Sequence, residues 1–399
     1  MKRYGEVLRA PHVTALITAT LLARFPIGIN ALALILFLRS ETGSFAIAGI
    51  VAGGLAAGAG IGAPVQGRLV DGFGQRRVLL PLAVVHAAAL GGVVGLTELG
   101  APTVALAACS ALAGFAIPPT SSVLRSMWPS LLRDQPHLIQ AAYALDSVMI
   151  ETIFVVGPLL TAVIAAVASP SAALIVSAVS VIAGTAVFTA LEPSRAFQPD
   201  RQASRDAGLL GALSSPGVRS LVLTSLPAGI AIGICEVAIP AFADTESSAE
   251  LAGVLLAVFS LGSAAGGLLY GALPRRGTFT LNRIHLIVAA LLPLGLLPLA
   301  VAPSMAVMAL LVIPAGMPIA SLLATRNELV GAVAPPGALT EAYTWPVTAF
   351  VGGIAIGSGL AGAIVEGSGP PLAFLLAAAA AAAGAVLAFA RRGTLVAVA

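Results

Sequence analysis

Charge is what this chain has least of. Only 9% of its 399 residues are Asp, Glu, Lys or Arg, and Lys2 is the sole lysine. A soluble domain of this length cannot cover a chain that is 58% hydrophobic, with a mean hydropathy of +1.02, using so few charges. Cysteine is nearly absent too. Cys109 and Cys235 both fall inside apolar runs, where they read as small buried hydrophobes rather than as a disulfide or a metal site. No Walker-type phosphate loop, paired-carboxylate hydrolase site or metal-ligand spacing is present, which argues against an enzyme, an ATP-driven pump and a bound cofactor. The net charge of +3 does not point to nucleic acid, because the charges are sorted by loop. Met1–Pro11 is polar and precedes an apolar run too long for an h-region, so no cleavable signal peptide is expected.

What fills the chain is apolar runs of about 20 residues, each able to cross a hydrocarbon core of roughly 30 Å. Backbone polar groups in lipid need internal partners, so the runs should be helices and the protein an all-α integral membrane protein. Twelve spans are expected. The first six are His12–Leu38, Phe45–Gln66, Val78–Leu96, Pro102–Ser126, Leu138–Ala168 and Ser171–Leu191. The second six are Val218–Phe242, Leu251–Gly271, Leu281–Val301, Pro303–Ala324, Glu341–Val365 and Pro371–Ala390. Residues 192–217, with Pro, Ser, Gln and mixed charges, read as a cytoplasmic linker between bundles at 1–191 and 218–399.

Charge sorting tests this layout. With the N-terminus in the cytoplasm, all of the 20 basic residues except Arg24 and Arg39 fall at or near the cytoplasmic face. The opposite loops carry Glu41, Glu98, Asp244, Glu246, Glu250 and Glu366. That bias is the positive-inside pattern and places both termini in the cytoplasm.

The halves also repeat. Phe25-Pro26-Ile27-Gly28 answers Leu226-Pro227-Ala228-Gly229 at an offset of 201. Ala48-Gly49, Gly58 and Gly67 answer Ala252-Gly253, Gly262 and Gly271 at 204. Pro118, Ala142-Tyr143 and Gly157 answer Pro318, Ala342-Tyr343 and Gly357 at 200. Two parallel repeats imply a pseudo-twofold axis along the membrane normal, with a binding site near the midplane between them.

The short link between the second and third spans holds Gly67, Arg68, Asp71, Gly74, Arg76 and Arg77. It resembles the major facilitator signature G-x-x-x-D-(R/K)-x-G-(R/K)-(R/K), with Gly72 and Gln75 replacing two expected basic residues. A weaker echo, Gly271 with Arg275-Arg276, sits at the matching place in the second half. Together with twelve spans and a central linker, this likeness extends over essentially the whole chain. It implies the major facilitator fold, two pseudo-symmetric six-helix bundles that rock about a central site. It also implies that Asp71 helps latch the halves in the outward-facing state. Independently of the family, Gly67 and Gly74 permit close approach and turn geometry, and Asp71 suits a helix N-terminus or a neighbouring arginine.

An ionisable residue deep in a span is a functional candidate, and Arg24, Asp146, Glu151 and Glu236 qualify. Arg24 and Glu151 lie at similar depth, about 18–20 Å along their helices. Arg24 is therefore expected to pair with Glu151, as a structural ion pair or a proton-coupling one, or to line a wet cavity. Asp146 lies about 140° round the helix from Glu151, so the two carboxylates do not share a face. Asp146 is open to either a contact with the cytoplasmic loops or a functional role. Glu236, toward the outer part of its span, would carry a proton or bind a cation. Gly157-Pro158 resembles the core of the family's antiporter signature. Arg125 is expected to anchor the interface, His86 and His285 to be packed and hydrogen-bonded, and Trp128 and Trp345 to sit at the interface and in the cavity.

These features describe a secondary transporter rather than an enzyme. The expected activity is proton-driven export of small amphipathic organic molecules by an antiporter. Its partners would be the substrate, protons and the bilayer, and it would work as a monomer in a bacterial inner membrane. A proton-coupled nutrient importer is the nearest rival, and a non-transporting receptor or assembly partner with the same fold is a rival of another class.

Overall fold

The computed structural model describes residues 2–197, 211–246, 251–274 and 280–395. Arg201, Arg205, Glu250, Arg275 and Arg276 lie outside the described residues. Among the described residues, twelve helices are long and apolar enough to cross a membrane. The first half comprises α1 (Val13–Thr42), α2 (Phe45–Phe73), α3 (Gln75–Glu98), α4 (Thr103–Phe115 and Thr120–Leu131), α5 (Ile139–Val167) and α6 (Pro170–Ala190). The second comprises α7 (Pro216–Thr245), α8 (Ala252–Ala272), α9 (Leu281–Leu296), α10 (Met305–Gly316 and Pro318–Val333), α11 (Leu339–Ser368) and α12 (Pro370–Ala390). A short helix, Lys2–Arg9, precedes them.

Local chemistry sets the ends. Ser44, Ser169, Ser215, Thr280 and Ser304 each accept a backbone N–H three residues on and so cap α2, α6, α7, α9 and α10. Gly74, at φ 90°, makes the single-residue turn between α2 and α3. Pro118 and Pro119 interrupt α4, because proline has no N–H to continue the ladder and biases the residue before it away from helix. A shorter break at Met317 divides α10.

The repeated glycines are where helices cross. A Cβ on Gly157 of α5 would sit 2.6 Å from Gly28 Cα of α1. In the second half, Gly229 and Gly233 of α7 meet the backbone of α11 at Phe350 and Ile354 in the same way. Gly58 and Gly62 press α2 on α4, and Gly262 and Gly266 press α8 on α10. In lipid, close backbone packing at small residues replaces the hydrophobic drive available in water.

Toward the end of the molecule that carries the termini, one apolar cluster runs across both halves, including Tyr4, Val70, Met127 and Trp128 with Val218, Val330, Val333 and Tyr343. Away from that end the cores separate. Ile29, Phe37, Leu90 and Leu174 belong to the first half alone, and Phe242, Phe259, Leu296 and Phe374 to the second alone. The halves are packed together at the terminal end. Trp128 is completely buried in the shared cluster, and the expected interfacial position is corrected.

Candidate functional site

The two carboxylates of α5 point to different neighbours, as the 140° separation requires. Asp146 is fully buried and takes two guanidiniums, Arg24 Nη1 of α1 at 3.0 Å and Arg125 Nε of α4 at 2.6 Å. Two expectations are thereby corrected. Arg24 pairs with Asp146 and not with Glu151, because the direction round α5, rather than depth, decides which carboxylate faces α1. Arg125 is 5% exposed and bound to Asp146 rather than anchored at the interface, since the proline break carries its helix segment inward. The triad knits α1, α4 and α5 within one half.

Glu151 faces the other half. Ser263 Oγ of α8 donates to Glu151 Oε1 at 2.8 Å, and the same Oγ accepts the Ala320 N–H of α10 at 3.1 Å. The serine hydrogen is thus directed at the carboxylate. Glu236 has an exposed side chain on α7, and its charge is close enough to act on Glu151. Glu151 and Glu236 are within electrostatic reach of one another, and among the described residues neither forms an ion pair with Arg24, which is bound to Asp146.

Nearer the terminal end, hydrogen bonds join the halves. Asp71, at the end of α2, accepts the Thr340 N–H at 3.0 Å on one oxygen and the Glu341 N–H at 2.9 Å on the other. It therefore caps α11, a helix of the opposite half, whose first N–H groups have no intrahelical acceptor. Gly67 lies one turn earlier. A Cβ there would stand 2.8 Å from Glu341 Cα. Gly271, its counterpart at an offset of 204, packs against the Tyr4 hydroxyl and Ala144 of the first half. Arg76 and Arg77 are exposed on the first turn of α3, and neither forms an ion pair with Asp71.

Further ties surround the loop that follows Asp71. The Tyr4 hydroxyl donates to Leu268 O at 2.8 Å, with burial pushing its phenol up to about 12 so that it stays protonated. Arg3 Nη1 and Gln140 Nε2 each reach Leu273 O at 3.2 Å. Tyr143 and Tyr343, matched at an offset of 200, meet hydroxyl to hydroxyl at 2.5 Å across the boundary. The deepest tie near α11 is Thr348 Oγ1 donating to Gly60 O at 3.2 Å.

Sequence reasoning missed Ser263 and the tyrosine pair as contacts between halves. The repeat offset was a signal for the tyrosines, because residues matched about an axis between two bundles can meet on it. Ser263 carried none, being one hydroxyl among many on apolar helices. His86 is packed as expected, with Nδ1 2.7 Å from Ala113 O and Nε2 3.2 Å from Asn30 Nδ2. His285 lies 2.9 Å from Thr325 Oγ1. Trp345 donates to Glu341 Oε1 at 3.1 Å, beside the Asp71 contact. Arg326, expected at or near the cytoplasmic face, is 5% exposed inside α10.

No curated protein matches the sequence. Solved structures of similar fold include a human organic anion transporter, MFSD10 (TETRAN), at 16% identity, covering 94% of this chain and 98% of that one with a TM-score of 0.66. The proton:xylose symporter XylE, bound to 6-bromo-6-deoxy-D-glucose, is 12% identical, with coverages of 94% and 95% and a TM-score of 0.71. A bacterial homologue of the iron transporter ferroportin, in an outward-facing state with soaked iron, is 16% identical, with coverages of 95% and 98% and a TM-score of 0.73. At these identities the likeness is one of fold. The sequence itself matches the Major Facilitator Superfamily over residues 16–345, and the chain belongs to that family of membrane transporters.

Proposed function

We propose that this transporter is a proton-coupled exporter of small amphipathic organic molecules that works by alternating access in an inner membrane. The observation that carries the reading is the Glu151–Ser263 hydrogen bond. A carboxylate of one half, about 18 Å along its helix from Ile139, is held by a hydroxyl of the other half. Any rocking of the halves changes that contact. Desolvation and loss of a donor favour the protonated carboxyl, whereas the Ser263 donor favours the carboxylate. Glu151 therefore has two environments of different proton affinity, one for each arrangement of the bundles, with Glu236 beside it as a second proton carrier. Arg24 and Asp146 hold the first bundle rigid while this happens.

With both termini in the cytoplasm, the packed end is the cytoplasmic one and the conformation faces outward. Asp71 then acts as a latch of that state, with Gly67 allowing the approach and Gly74 the turn. Arg76 and Arg77 contribute to topology rather than to the latch. Residues 1–191 and 218–399 would be the moving bodies, joined by the linker at 192–217, with a single chain as the working unit. The scarcity of charge around Glu151 and Glu236 suits amphipathic substrates better than highly charged ones.

The test is flux in inside-out vesicles with an acid interior, using a panel of amphipathic dyes and drugs. Accumulation inside the vesicles supports export, and Glu151→Gln should abolish it while leaving the protein monodisperse and folded. Accumulation driven by the opposite gradient would make the protein an importer. Full activity in Glu151→Gln would remove the proton-coupling role of that residue.

A further inference from the structure

The second half contains a buried cation that forms no ion pair among the described residues. Arg326 lies on α10, 5% exposed, and neither its Nε nor its Nη1 has a hydrogen-bond partner. Nη2 donates only to the amide oxygen of its neighbour Asn327 at 3.2 Å, and Asn327 Nδ2 is itself unpartnered. The guanidinium carbon lies 5.8 Å from the centre of the Phe350 ring, which offers a π-face and no negative charge. Asp146 is near enough to act on Arg326 but is already bound by Arg24 and Arg125. Glu328 accepts from the Tyr270 hydroxyl instead.

The repeat explains how this imbalance arises. Arg326 answers Arg125 at an offset of 201, but the position answering Asp146 at an offset of 200 is Pro346. One half kept the aspartate for its arginine and the other did not. Burying a guanidinium without a partner is among the costlier things a fold can do, and more so where no water is at hand.

Arg326 also forms one wall of a cavity of about 20 Å³, room for one water-sized group. The other walls include Thr224, Ser225, His285 and Ala381. The two hydroxyls spend their hydrogens on backbone carbonyls, Ser220 O at 3.0 Å and Leu221 O at 2.7 Å. Thr325 likewise donates to Ser321 O at 3.0 Å, so His285 Nδ1 donates to Thr325. The unspent donors around this part of the second bundle are those of Arg326 and Asn327, a set that asks for an acceptor bearing negative charge.

We propose that the second bundle binds one small monovalent anion, anchored by the Arg326 guanidinium. The shared chemistry is a single negative charge on a group no larger than a halide or a carboxylate head. It is supplied either by an inorganic anion acting as a resident counter-charge or by the carboxylate of a bound organic acid. The site lies among α7, α9, α10, α11 and α12 and does not use Glu151, so it stands or falls apart from proton coupling.

The experiment is thermal unfolding of the purified full chain in N-methylglucamine–HEPES, titrated with chloride, bromide or benzoate at constant ionic strength. Equilibrium dialysis with radiolabelled chloride and benzoate runs alongside on the wild type. The expected result is a saturable rise in unfolding midpoint with at least one of these anions and about one bound anion per chain. The rise should be absent in Arg326→Met and right-shifted in Arg326→Lys. A rise with halides alone assigns the resident ion, a rise with benzoate alone assigns the carboxylate, and a rise with both assigns an anchor open to either. No saturable binding to the wild type, or an equal rise in Arg326→Met, overturns the proposal. Should Arg326→Met fail to fold, wild-type dialysis and the Arg326→Lys shift decide the matter between them.

Discussion

Removing the Asp71 carboxylate should open the terminal end of the molecule without unfolding it. The carboxylate makes two bonds to the first N–H groups of α11, and both cross the boundary between halves. Separation of the halves at that end would return those N–H groups and the carboxylate to water, so the bonds would bias the conformational equilibrium rather than the fold. Replacing a capping side chain by alanine costs about 0.5–2 kcal/mol, typically about 1. A bias of one to two kcal/mol corresponds to roughly a 5–30-fold change in the ratio of the two states. Asp71→Asn separates capping from charge. Asparagine caps about as well as aspartate, so it should lose mainly the helix-dipole contribution of about 0.3–1 kcal/mol. The assay is electron–electron distance measurement between spin labels at Arg76 and Arg219, both exposed, after Cys109 and Cys235 are replaced by alanine. The wild type should give one dominant short distance. Asp71→Ala should add a longer one, and Asp71→Asn should fall between. Identical distributions in all three would refute the latch, whatever happened to transport.

Three other substitutions probe neighbouring parts of the same frame. Asp146→Asn strands Arg24 and Arg125 as buried cations and should cost about 3–5 kcal/mol, read as a loss of thermal stability and of folded yield. Tyr143→Phe removes one hydroxyl-to-hydroxyl bond across the halves, worth about 0.5–1.5 kcal/mol, and should shift the spin-label distances in the direction of Asp71→Ala with unchanged folding. Gly67→Val places a side chain where Glu341 Cα already stands and should open the terminal end more completely than Asp71→Ala, again read by the same distances.

The spans were legible because hydrophobic length is set by the thickness of lipid, which does not depend on how helices pack. Their ends were less so. The tenth span continues to Val333, nine residues beyond Ala324, where Arg326-Asn327-Glu328 reads as the start of a polar loop. Tertiary burial overrides that reading, since neighbouring helices and not lipid surround those side chains. The break at Pro118-Pro119 has the same effect on the fourth span, carrying Arg125 into the first bundle. Pairing was legible in kind but not in partner. Depth put Arg24 level with Glu151, yet a helix presents residues five apart to different neighbours, and only packing says which neighbour is α1. The loop between α2 and α3 shows the reverse. A carboxylate suited to a helix N-terminus was readable from Asp71, while the identity of that helix, 269 residues away at Thr340, was not.

The repeat carries a further lesson about where function concentrates. Positions retained in both halves, such as Gly28 with Gly229, Gly157 with Gly357 and Tyr143 with Tyr343, are crossing points and the meeting line of the bundles. Positions that differ are where the halves have been given different work. The first bundle resolves its buried arginines on Asp146 and its buried histidine on Asn30 and Ala113. The second has Pro346 in place of that aspartate and Ala231 in place of that asparagine, and beside a small cavity it keeps Arg326, which has no ion pair among the described residues. A symmetric pair of closed bundles has no reason to select one substrate or one direction. An asymmetry of charge about the axis, with arginines paired on Asp146 in the first bundle and Arg326 without such an aspartate in the second, provides one.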